Sequence, residues 1–158
     1  MLGSYRMLRL YSLFFILLMG CSCRTEFSIK YDDKVDATYY HAPDDKNYYL
    51  SDGDRELYIG TYRQAPVLHK FDSVCLIECG NKNNELLLVT TAAGNIKLTN
   101  LISQVYELYP ASKYFPLFVD AVRQEPDGKI SISLYSPTED KELMVHLDSE
   151  LKLLLPQS

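Results

Sequence analysis

Residues 99–110 read Thr-Asn-Leu-Ile-Ser-Gln-Val-Tyr-Glu-Leu-Tyr-Pro. Only here do the apolar residues fall at convincing helical spacing: Leu101, Ile102, Val105, Leu108 and Tyr109 share one face. Thr99 or Asn100 can cap the start, because a side-chain oxygen there can accept from free backbone N–H groups of the first turn. Pro110 stops the helix, having no N–H to continue it. Everything around this stretch reads as strand. Upstream, Leu57, Ile59 and Thr61 alternate with Tyr58, Gly60 and Tyr62, and residues 72–79 put Cys75, Ile77 and Cys79 on one face. Residues 85–91, ELLLVTT, are apolar on both faces, the pattern of a central strand. Downstream, residues 117–124, 129–135, 143–147 and 151–155 form a meander, with Glu125-Pro126-Asp127-Gly128 as its clearest turn. The order is three strands, one helix, four strands, and short connections favour antiparallel neighbours. The expected fold is therefore α+β: a curved antiparallel β-sheet of about six to seven strands with one packed amphipathic helix. A small all-β sandwich or barrel is the alternative.

The segment before residue 55 has a different composition. Tyr31–Asp54 holds seven aspartates, two lysines and five tyrosines, a net charge of −5, with Pro43 and Gly53 as breaks. It shows no helical and no sustained period-two pattern, so it is expected to be irregular, with at most a short strand near residues 37–40. Its aspartates and paired tyrosines make Tyr39, Tyr40, Asp44, Asp45, Tyr48 and Tyr49 the candidate contact residues for a partner. The plainer reading of the same segment is a solvated lead-in that covers a sheet edge.

Charge narrows the choice of partner. The 158 residues carry a net −5. A domain this acidic lacks the basic footprint of a nucleic-acid binder and the basic patch that grips an anionic membrane. Thirteen tyrosines and no tryptophan suit half-buried sheet positions and contact surfaces.

Residues that could carry chemistry are scattered. No serine sits in a GxSxG elbow. His41, His69 and His146 have no helical metal spacing, and Cys75-x3-Cys79 lacks the second pair of a closed zinc site. His69 beside Cys75 is a weak candidate for a nucleophile and its base. Neither metal nor cofactor is expected, and the chain reads as a non-enzyme. Cys75 and Cys79 are a candidate disulfide under one condition. On one regular strand they would stand about 13 Å apart, beyond bridging distance, so pairing needs Cys79 already in the turn at Gly80. The other reading is two buried, free thiols.

The first twenty-three residues, MLGSYRMLRLYSLFFILLMGCSC, give the location. Arg6 and Arg9 precede an uncharged run, Leu10–Met19, followed by Gly20 and Cys21. A basic start, a short apolar centre and a small residue make a secretory signal; the run is too short to span a bilayer. Met7 is an alternative start, since MLRLYSLFFILLMGC is by itself a complete if short signal. Leu18-Met19-Gly20-Cys21 resembles the lipobox of bacterial lipoproteins. That resemblance implies cleavage before Cys21 and a lipid on its thiol. Ser22 in the next position is, in this class, compatible with transfer to the outer membrane, facing the periplasm. Loss of Arg6 and Arg9 would take the mature charge from −5 to −7. The expected organisation is a signal peptide at 1–20, a lipidated tether and acidic lead-in at 21–54, and a globular domain at 55–158.

Small lipid-anchored acidic domains of this layout resemble the immunity lipoproteins that neutralise toxins delivered into the periplasm. A negative surface would steer towards a basic protein partner. The expected function is thus a lipid-anchored envelope protein that binds a protein partner, as an immunity or inhibitor lipoprotein. A structural accessory of a secretion or other envelope machine is the alternative.

Overall fold

The computed structural model describes residues 26–32, 44–72, 74–109 and 114–154. Three antiparallel sheets follow one another along the chain. The first consists of β1 (Ser28–Asp32), β2 (Lys46–Ser51) and β3 (Glu56–Tyr62), in that order. The second consists of β4 (Val67–Lys70), β5 (Cys75–Cys79), β6 (Glu85–Ala92) and β7 (Asn95–Asn100). A helix, α1 (Leu101–Leu108), leads to the third, β8 (Phe118–Gln124), β9 (Ile130–Ser136), β10 (Lys141–Leu147) and β11 (Leu153–Leu154).

The second sheet lies in the middle, because its strands are apolar on both sides. Leu76, Leu86 and Leu88 pack with α1 and the third sheet: Leu101, Ile102, Val105, Val119, Ile132, Leu134 and Val145 share that cluster. The alternate residues Ile77, Cys79, Leu87 and Val89 pack against Tyr48, Leu50 and Tyr62 of the first sheet. A strand buried on both faces needs a cover on each, and the result is a three-layer stack with two cores. The central-strand reading of ELLLVTT is the feature that demanded this arrangement.

The α+β expectation is overturned. The protein is mostly β, close to the all-β alternative, and three sheets stand where one curved sheet was expected. The helix does form where the spacing placed it. Asn100 is its cap, accepting from the backbone N–H groups of Ile102 at 3.0 Å and Ser103 at 3.3 Å. It is only eight residues long and buries Leu101, Ile102 and Val105, too little to form a layer. The irregular reading of residues 31–54 also fails in its described part. Leu50 of β2 is fully buried, and β2 pairs with β1 and β3, so the expected boundary at 54/55 falls inside a hairpin. The suggested strand at 37–40 lies outside the described residues.

Candidate partner-binding face

Tyr48 and Leu50 point into the core between the first two sheets, so Tyr49 between them points outward. Directly across from it on β3 is Tyr58, and on β1 Lys30. The two tyrosine rings meet edge to face, 5.6 Å between centroids, a favoured aromatic geometry. Tyr58 is 51% exposed.

A bulge builds the rest of this face. Tyr48 pairs with Gly60 and Tyr49 with Tyr58, leaving Ile59 unmatched. The extra residue reverses the phase of β3. Leu57, facing the buried Leu50, and Ile59 lie inward; so does Tyr62, while Thr61 turns outward beside Tyr58. Strict alternation had grouped Thr61 with Leu57 and Ile59. On the outward side the Tyr58 hydroxyl donates to Thr61 Oγ1 at 2.6 Å, and Thr61 donates in turn to Asn47 Oδ1 at 2.6 Å. Lys30 and Glu56 pair at 2.7 Å at the rim. A Cβ on Gly60 would collide with the Tyr62 ring, so glycine there lets that ring lie across the strand. At the hairpin end, Asp52 binds the Arg55 side chain and accepts from its backbone N–H at 2.9 Å. The Arg55 side-chain bond holds the Asp52 carboxyl below the usual carboxylate range.

The sequence candidates separate clearly. Tyr49 is on this face, and Asp44 is exposed just before β2. Asp45 is half-buried. Tyr48 is 4% exposed and belongs to the core, so it is not a contact residue; its ring packs instead with Tyr62, 6.4 Å between centroids. Tyr39, Tyr40 and Cys21 lie outside the described residues. Sequence reasoning missed Tyr58 and Thr61. Their signal was the Ile-Gly pair at 59–60, a glycine inside a strand, which marks a bulge.

The other groups weighed for chemistry are held apart. His69 faces Leu76 across the β4–β5 ladder and pairs with Glu78 at 2.9 Å. Cys75 packs with the opposite core, so His69 and Cys75 lie on different faces of one sheet. Burial pushes the Cys75 thiol up, away from thiolate character. Cys75 and Cys79 stand at the two ends of β5, both free, which rules out their pairing for the reason of strand rise given above. On the third sheet, Ser131 Oγ donates to Glu125 at 2.6 Å and lies 3.0 Å from His146 Nδ1. The serine proton is committed to the carboxylate, so Nδ1–H of the histidine donates to Ser131. This order, carboxylate–serine–histidine, is not that of a hydrolytic triad, where histidine stands between the other two. Among the described residues no three His, Cys, Asp or Glu side chains could hold a metal ion, and no helix is long and apolar enough to cross a membrane. No known protein family, curated protein or solved structure matches the chain.

Proposed function

We propose that this is a lipid-anchored cell-envelope protein, held through Cys21 at the outer membrane, that binds a protein partner as an immunity or inhibitor lipoprotein and performs no catalysis. The observation that carries the binding role is the outward Tyr49–Tyr58 pair. Exposed aromatics flanked by polar groups are the usual anchors of protein contacts. Here the Tyr58–Thr61–Asn47 chain of hydrogen bonds fixes the ring before a partner arrives, which lowers the ordering cost of binding. Asp44 and the acidic chain around it supply attraction for a basic partner. The lipobox-like Leu18-Met19-Gly20-Cys21 supports the anchor.

The test is capture of envelope proteins on the full chain beside a Tyr49→Ala/Tyr58→Ala variant. One basic protein held one-to-one at low salt, released at high salt and lost from the variant is the expected outcome. A set of membrane-complex subunits that survives high salt would replace the inhibitor role with that of a structural accessory.

A further inference from the structure

A trough of about 240 Å³ crosses the outward face of the third sheet. Small residues, Ala121, Ser131 and Ser133, leave a floor where longer side chains stand on either side. Both serines are 6% exposed. Each is fixed by a rim carboxylate: Ser131 donates to Glu125 at 2.6 Å and Ser133 to Asp120 at 3.4 Å. Asp120 is there because of a second bulge. Val119 pairs with Leu134 and Ala121 with Ser133, which leaves Asp120 unmatched. The bulge brings Asp120 and Ala121, consecutive residues, to the same trough, which a regular strand would prevent.

Two opposite charges stand at diagonal corners of this floor without meeting. Arg123 is on β8 and Glu142 on β10, with β9 between. Arg123 lies level with Ser131 and Glu142 level with Tyr135, so four residues along β9 and two strand spacings put their backbones roughly 16 Å apart. Neither has an ion pair or hydrogen bond among the described residues. Met144, 41% exposed, supplies an apolar strip beside them.

We infer that this trough binds a short peptide with both ends charged, its carboxylate on Arg123, its ammonium between Asp120 and Glu142, and a side chain against Met144. Two to three extended residues lying along β9 span roughly 7–11 Å, and the long Arg123 and Glu142 side chains cover the rest of the diagonal. A single amino acid is too short to satisfy both. The site lies on the opposite side of the stack from the tyrosine face and does not depend on it.

Trialanine titrated into the full chain tests this, read by NMR on the Met144 methyl, with Met144→Ala to assign the signal. A saturable shift is expected. N-acetylation or C-amidation of the peptide should each weaken binding about tenfold, the worth of one charge-assisted contact. Arg123→Gln should weaken trialanine about tenfold while leaving the C-amide unaffected, and Glu142→Gln should spare the N-acetyl form in the same way. Both side chains are exposed, so the variants should fold. Free alanine binding as tightly as trialanine would overturn the peptide assignment. No saturable shift at millimolar trialanine, or one indifferent to both substitutions, would overturn the site.

Discussion

Tyr62, Cys79 and Glu85 meet between the first two sheets, where the Tyr62 hydroxyl donates to Glu85 Oε2 at 2.7 Å and the Cys79 thiol approaches the same oxygen at 3.6 Å. Burial pushes the Cys79 thiol from its ordinary 9.0 up to about 12. Burial, and then the bond to Glu85, also raises the Tyr62 hydroxyl. Both groups hold their protons more tightly folded than unfolded. Their contribution to stability is therefore whole below pH 9 and is lost as pH rises towards about 12. Denaturant midpoints should fall steadily over that range. Cys79→Ser, which removes the titrating thiol, should show a shallower fall; an equally steep fall would place the alkaline sensitivity elsewhere. The same burial predicts that neither Cys75 nor Cys79 reacts appreciably with iodoacetamide at pH 8 until the chain is unfolded. Rapid labelling of Cys75 in the native protein would reopen the case for a reactive thiol.

At the scale of elements, the strands with clean alternation were legible, and the rest were hidden for identifiable reasons. β9 and β10 alternate without interruption, and their registers run unbroken from Ile130↔Leu147 to Ser136↔Lys141. The sequence narrows the cap of α1 to Thr99 or Asn100, and the structure selects Asn100. β2 was obscured by flanking aspartates and by two adjacent tyrosines of opposite fate, Tyr48 inward and Tyr49 outward. β4 has four residues and follows a proline. β7 is hard to read because Ala93-Gly94 breaks the apolar pattern before it starts; both residues have positive φ, and they form the tight turn of a hairpin. The candidate face was half legible, since its tyrosines could be counted but the bulge that pairs Tyr49 with Tyr58 has only a glycine as its trace. Two substitutions test these elements. Leu50→Ala should destabilise the fold by about 2–5 kcal/mol if β2 belongs to the core, measured by denaturant unfolding; a loss under about 0.5 kcal/mol would mean a detachable lead-in. Asn100→Ala should cost about 1 kcal/mol through the lost helix cap.

For the whole molecule, the three-layer stack separates the outward tyrosine face from the serine trough by two cores. Surfaces this far apart with no shared residues should respond independently to substitution. The proposed lipid on Cys21 has its own test: Cys21→Ala should move the protein out of the membrane fraction and abolish incorporation of labelled fatty acid, with the fold unchanged. The measurement that bears most directly on partner binding is the affinity of the captured partner for the full chain and for the Tyr49→Ala/Tyr58→Ala variant, with unfolding curves of both. A loss of about 2 kcal/mol or more in binding, some thirtyfold, is expected for the variant at near-equal stability. Equal affinity for the two chains would contradict it.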